Sequence, residues 1–302
     1  MDRAYETGPL PEAGVLTGGW DVATTTREGS TAAQGASVAA ERVRRVAVDP
    51  SPNDWPTWAS AQLEDAVVIA RKAQDRGDRL HLAATLYREW FYPSIGRAGE
   101  LRRAGRPLVG LYRGAHAGST LQRTGDDDED DCTVLRRHDV IGRDGWWRTW
   151  GEAWTPPRSR PGSVRLLLTP RPDRLGAVVT TITRALLDSP ESWMLACATE
   201  LRRLRRTGSI VLDLPSLDAL PDNVLDDLAP LVREATPPLC LPIQPGVALA
   251  EFPDNGMTFG EHRCHLIALA LRRADAAGDP LRVIADVFAA HGIDASAPYR
   301  LR

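Results

Sequence analysis

Lysine is nearly missing from this 302-residue chain: Lys72 is the only one, and every other basic side chain is arginine. Any mechanism that needs a lysine base or a Schiff base therefore has one candidate residue, because guanidinium groups stay protonated and bind anions rather than take up protons. Cysteine is sparse as well. Cys132, Cys197, Cys240 and Cys264 lie far apart with no C-x-x-C pair, which excludes a disulfide scaffold and fits reduced thiols. There is no window of about 18 apolar residues, so no bilayer span is expected. The opening residues, MDRAYETGPL, lack a basic start followed by an apolar run, so no secretory signal is read and a cytoplasmic protein is expected. An excess of one charge is missing too: 37 basic residues face 40 acidic ones, a net charge of -3, which steers the chain toward neither nucleic acid nor a membrane surface. Also absent are the phosphate loop GxxxxGK[ST], a GxGxxG between strand and helix, the GxSxG elbow and HExxH. A P-loop ATPase, a dinucleotide oxidoreductase and the common hydrolases are set aside on that ground.

The residues that are present belong to a globular protein, 43% hydrophobic and 25% charged, long enough to bury a real core. Residues 1–53, rich in Ala, Thr, Gly and Ser, read as a poorly ordered arm with at most one short helix near Val38–Val46. Residues 54–302 read as the folded part, helical over 54–105 and sheet-containing over 106–302. Leu63, Val67, Ile69 and Ala70 recur at helical spacing until Gly77 and Asp78, and HLAATLYREWFY forms a second helix that stops before Pro93. Strands are expected at PLVGLYR (107–113), CTVLRRH (132–138), WWRTWGEAW (146–154), VRLLLT (164–169), WMLACAT (193–199) and SIVLDL (209–214). Helices are expected at LGAVVTTITRALL (175–187), after a Thr258 cap, and at LRVIADVFAAH, with a Pro-rich connection before the last two. The sum is an α+β protein with a mixed or antiparallel sheet flanked by helices.

Four features could carry chemistry. The segment from Glu200 to Arg206 holds four arginines just before a strand, Arg165 opens another strand, and Arg263 lies in the first turns of the helix after Thr258. Strand starts and helix N-termini converge at sheet edges, where guanidinium forks and free N–H groups bind phosphate. Arg165, Arg206 and Arg263 are taken as that set, and Arg202 and Arg203 as solvated. His262 and His265 stand three apart on one helix with Cys264 between them, a spacing that can hold a metal, but no third ligand follows and no metal or cofactor is expected. Trp146, Trp147, Trp150 and Trp154 pack a hairpin or wall a peptide groove. The six acidic residues Asp126–Asp131 form a solvated loop tip or a surface for a basic partner.

The segment running from Pro245 through Ala250-Glu251-Phe252-Pro253 to Phe259-Gly260-Glu261-His262-Arg263-Cys264 resembles the PGxGxAExPxxxxSFGxxR block of the HopA-type effector family, named from a type III-secreted effector of plant pathogens. Phe288 to Asp294 with Ala297-Pro298-Tyr299 resembles its closing segment. Val164-Arg165-Leu166 and Arg206 to Leu212 resemble two of its strands, and Leu86-Tyr87 with Trp90-Phe91 is similar to its early helix. The likeness spans roughly residues 80–302. It implies the activity of the actinobacterial members, which act in class V lanthipeptide and thioviridamide-like biosynthesis. There a phosphotransferase-like kinase phosphorylates Ser or Thr of a precursor peptide, and the HopA-type protein eliminates the phosphate to leave dehydroalanine or dehydrobutyrine.

That reaction implies a phosphorylated precursor peptide and a separate kinase as partners, and it assigns roles. Arg165, Arg206 and Arg263 would hold the dianion. His262 would be an acid toward the leaving oxygen, His138 a base, and Lys72 the remaining candidate, more in keeping with a solvated helix face. The alternative is a non-catalytic scaffold or a kinase-activating subunit. The chain departs from the effector pattern at Ala196, where a lysine is expected, and at Asp213, which replaces an aromatic.

Overall fold

The structure, a computed structural model, describes residues 55–95, 108–119, 137–154, 163–253, 257–274 and 278–300. The expected arm, the acidic run at 126–131 and most of the expected strand at 132–138 lie outside these residues.

Helix α1 (Thr57–Asp75) buries Leu63, Ala66, Val67 and Ala70, one face at spacings of three and four, and the chain turns at Gly77 with φ +81°. Helix α2 (Leu82–Leu86) runs on into a single π-helical turn, Tyr87–Phe91, which turns Trp90 and Phe91 into the interior. Such turns are frequent beside functional sites. The expected strand at 107–113 is instead helix α3 (Leu108–Ala115). A short apolar run fits both periods, and packing decides: Leu108 and Tyr112, four apart, are the buried positions, and the Tyr112 hydroxyl donates to the Ala198 carbonyl at 2.8 Å.

The remaining elements are β1 (His138–Ile141), β2 (Trp146–Trp150), β3 (Val164–Leu168), α4 (Leu175–Leu186), β4 (Met194–Ala198), α5 (Leu201–Leu204), β5 (Ile210–Leu214), α6 (Val224–Leu228), β6 (Leu241–Gln244), β7 (Val247–Glu251), α7 (Phe259–Arg273) and α8 (Pro280–Ala290). The seven strands form one sheet in the order β1-β2-β4-β5-β3-β7-β6, with every pairing antiparallel. The β6–β7 hairpin falls where the sequence suggested only a Pro-rich connection. Pro242 is tolerated there because β6 is the sheet's edge, and Pro245-Gly246 makes the turn with Gly246 at φ +75°.

The period-2 alternation of strands gives the sheet two different faces. On one, Trp147, Leu166, Leu168, Leu195, Ile210 and Leu212 pack against α3, α4 and α6. On the other, α1, α2, the π-turn, α7 and α8 pack over Leu167 of β3 and Ala248 and Ala250 of β7. The apolar cluster of that second layer takes in no residue of β2, β4 or β5. Half of this face therefore stays open, and a cleft lies there.

Candidate functional site

A cleft of about 890 Å³ sits on the open half of the sheet. Its floor is made of alternate residues of four strands: Trp146 and Arg148 of β2, Met194 and Ala196 of β4, Val211 and Asp213 of β5, Arg165 and Leu167 of β3. Tyr87, Arg88, Phe91 and Tyr92 form one wall, the turn Arg202–Ser209 another, and Phe252 and Pro253 with Met257 to Glu261 a third. The third wall is fixed by the start of α7. Thr258 Oγ1 accepts from the Glu261 N–H at 3.3 Å while the Glu261 carboxylate accepts from the Thr258 N–H at 2.8 Å, a reciprocal cap.

Arginine dominates the lining. Among the described residues, six line the cleft (Arg88, Arg148, Arg165, Arg202, Arg203 and Arg206) against three carboxylates, Asp144, Asp213 and Glu261. Most are tethered. Arg165 donates from Nε and Nη2 to the two Asp213 oxygens at 2.7 and 3.1 Å, and its guanidinium lies 3.8 Å from the centre of the Phe252 ring. Burial works against the Arg165 cation, but the Asp213 charge and hydrogen bonds outweigh it and raise its pKa. Arg148 pairs with Asp144, Arg88 with Glu89, and Arg202 and Arg203 with Glu200, while Arg203 also lies over the Trp146 ring. Among the described residues, Arg206 has no such partner for its guanidinium.

Two phenols face these cations. Burial pushes Tyr87 up to about 12 and raises Tyr92 further, with Tyr87 itself adding to the shift. Both keep their protons at neutral pH and can act as hydrogen-bond donors. No histidine and no lysine is among the residues that line the cleft.

The structure brings together only part of the set expected from sequence. Arg165 and Arg206 share the cleft; Arg263 does not. Arg263 is fully buried, donates from Nε to the Pro298 carbonyl and from Nη2 to the Arg300 carbonyl at 2.8 Å each, and stacks between Phe259 and Phe288. It ties the C-terminal segment to α7 and cannot reach a phosphate in the cleft. His262 lies beside it, its Nδ1 2.9 Å from Arg263 Nη1, and burial followed by the Arg263 charge lowers its pKa to about 4. It does not line the cleft. His138 is exposed on the edge strand β1, with its ring against Trp150, and Lys72 is exposed on α1; neither lines the cleft. Among the described residues there is no group of His, Cys, Asp and Glu that could hold a metal, and that includes the His262–His265 pair.

Arg202 and Arg203, taken as solvated, reach the cleft edge while paired to Glu200. The tryptophans divide between the two expected roles: Trp147 is core and Trp146 is cleft lining. The sequence reading missed Tyr92, Arg148 and Ser209. The alternation of Arg148 with Trp147 and Thr149 along β2, and the place of Ser209 just before β5 in step with Val211 and Asp213, are the signals that put these two on the open face.

A family model described as the HopA1 effector protein family matches residues 149–300. The chain belongs to that family. The match takes in most of the cleft floor, and two solved structures share the fold. One is the effector protein from Pseudomonas syringae pv. tomato strain DC3000, 16% identical with a TM-score of 0.55 over 82% of this chain and 100% of the other. The second is the effector protein from Pseudomonas syringae pv. syringae strain 61, 15% identical with a TM-score of 0.54 over 81% and 99%. No curated protein matches. Both departures from the HopA-type pattern noted in the sequence, Ala196 and Asp213, fall on the cleft floor. No helix among the described residues is long and apolar enough to cross a membrane.

Proposed function

We propose that the cleft binds a phosphorylated serine or threonine side chain of a peptide and removes its phosphate by β-elimination. A base takes the Cα proton, the Cα–H electrons form the Cα=Cβ bond, and the Cβ–O bond breaks. Phosphate leaves with that electron pair and dehydroalanine or dehydrobutyrine remains. The single observation that carries the reading is the concentration of arginines over the open half of the sheet, which opposes a dianion with fixed cations.

Arg206 and the free end of Arg165 neutralise the leaving phosphate. Tyr92 and Tyr87, held protonated by burial, donate hydrogen bonds to the departing oxygen. The proton acceptor is a carboxylate, since the lining has no imidazole or ammonium group, and Asp213 on the floor is the residue we assign. Its bond to Arg165 loosens as the guanidinium turns to the phosphate. The substrate is a precursor peptide phosphorylated by a separate phosphotransferase-like kinase in the cytoplasm.

A second reading has its own observation. Each carboxylate among the described lining residues is already committed: Asp144 to Arg148, Asp213 to Arg165 and Glu261 to its helix cap. A cleft so arranged can hold a phosphopeptide without turning it over, as a scaffold or kinase-activating subunit would. Incubating the protein with a phosphothreonine peptide, with and without the cognate kinase, and weighing the product decides between them. Loss of phosphoric acid with a dehydrated residue supports elimination; a peptide that binds and keeps its phosphate under every condition supports the scaffold.

A further inference from the structure

Asp213 stands in a row of the sheet whose two sides differ in character. On β3 it faces Arg165 and on β4 it faces Met194, each directly opposite in the antiparallel register. Side chains so opposed start about 5 Å apart, which makes both of them immediate neighbours of the carboxylate. The next row on the same face is Ala196, Val211 and Leu167, with Val211 opposite each of the other two. Val211 lies about 7 Å from Asp213 along β5. The cleft floor thus passes from cation to carboxylate to hydrocarbon across three neighbouring strands.

The hydrocarbon side belongs to the cleft rather than to the core. Met194, Ala196 and Val211 all line the cleft and are 8%, 6% and 7% exposed. None of the three is part of the apolar clusters that hold the helices against the two faces of the sheet. They form an apolar patch that neither layer covers, and burying an apolar group of a ligand on it is favourable.

The reaction says which group arrives there. The Cβ of the phosphorylated residue is bonded both to the Cα that Asp213 must reach and to the ester oxygen. Phosphate is drawn to the Arg165 side of Asp213, so the rest of Cβ falls on the Met194 side. That remainder is a methyl group in phosphothreonine and only hydrogen in phosphoserine. We propose that Met194, Ala196 and Val211 form a methyl subsite that makes phosphothreonine, rather than phosphoserine, the preferred substrate. This rests on the elimination reading above and deepens it by naming the side chain selected. The three residues determine specificity and take no part in moving the proton.

The test uses the full chain and two peptides that differ only in carrying phosphothreonine or phosphoserine, with kcat/KM for elimination measured on each. Val211→Thr keeps the shape of the side chain and replaces one methyl by a hydroxyl. Met194→Ala removes the contact from the neighbouring strand. The wild type is expected to favour phosphothreonine about tenfold, the scale of one methyl group in an apolar pocket, and either substitution to bring that ratio toward one. The intrinsic reactivity of the two esters cancels when the ratio in a variant is divided by the wild-type ratio. A substitution that merely loosened the fold would slow both peptides alike and leave the ratio where it was. Equal kcat/KM for the two peptides in the wild type, or a ratio that neither variant moves, overturns the methyl subsite and leaves the elimination reading standing. If neither peptide loses phosphate, the elimination reading is overturned and the subsite falls with it.

Discussion

Arg165 and Asp213 are directly opposite one another on the antiparallel strands β3 and β5, and their side chains meet in two parallel hydrogen bonds of 2.7 and 3.1 Å on the floor of the cleft. The pair is mostly buried, with side-chain exposures of 16% and 7%. Breaking one side of such a pair leaves the other charge uncompensated. Asp213→Ala is therefore expected to destabilise the protein by about 3 kcal/mol. Arg165→Ala with Asp213→Ala together should cost less than the sum of the single changes. Urea unfolding of the two single variants and the double variant measures the coupling.

Arg206 and Arg202 stand close in sequence and differ in commitment. Arg202 is paired to Glu200 at a largely exposed position, whereas Arg206 faces the cleft with no carboxylate partner among the described residues. Arg206→Ala should lower turnover of a phosphothreonine peptide about a hundredfold or more with the melting temperature little changed. Arg202→Ala should stay close to wild type. Steady-state kinetics on both variants, with melting curves alongside, make the comparison.

Arg263 should behave the opposite way to Arg206. Arg263→Ala removes two hydrogen bonds to C-terminal carbonyls and the stacking on Phe259 and Phe288. A loss of about 3 kcal/mol is expected from a change of this kind in the core. Phosphate affinity measured well below the lowered melting temperature should be retained, and titration of inorganic phosphate into the folded variant checks it.

Gly260 tests the wall between the π-turn and α7. A Cβ added there would lie 2.3 to 2.8 Å from three atoms of the Phe91 ring, and Phe91 is fully buried. Gly260→Ala must displace the ring and with it the turn that carries Tyr87 and Tyr92. Destabilisation of about 1–3 kcal/mol and weaker peptide binding are expected, measured by unfolding and by titration.

Stability should fall as pH drops through the weakly acidic range. His116 Nδ1 accepts from the Gly118 N–H at 2.9 Å, so its proton sits on Nε2, which donates to Thr149 Oγ1 at 3.0 Å. Burial, then the Arg137 charge, lowers its pKa to about 4; burial and Arg263 do the same at His262. Between pH 6.5 and about 4 the unfolded chain binds protons that the folded one refuses, so both groups destabilise the fold over that window. Melting temperature recorded from pH 7 down to pH 4 should decline, and His116→Gln should flatten part of the decline.

The strands that form the middle of the sheet were readable because each is a continuous apolar run, and the helices because their spacing is regular. PLVGLYR misled because seven residues give too few turns to separate periods. The β6–β7 hairpin was hidden by Pro242, which only an edge position permits. The cleft was harder. Arg165 and Arg206 could be chosen because they begin strands, but the same logic selected Arg263, whose place in the FGxxR block serves the fold: Phe259 is core, Gly260 accommodates Phe91, Glu261 caps the helix and Arg263 holds the C-terminal segment. Sequence spacing does not reveal which face of the sheet a second layer leaves open, and that is what decides which arginines meet.

The central claim is that the Cβ–O bond of a phosphorylated residue is broken by elimination. Running the reaction on a phosphothreonine peptide in heavy-oxygen water and examining both products tests it most directly. Elimination predicts inorganic phosphate that leaves without solvent oxygen, together with a peptide carrying dehydrobutyrine. Phosphate labelled by the solvent beside a restored threonine, or no phosphate release by a protein that binds the peptide, would contradict the account.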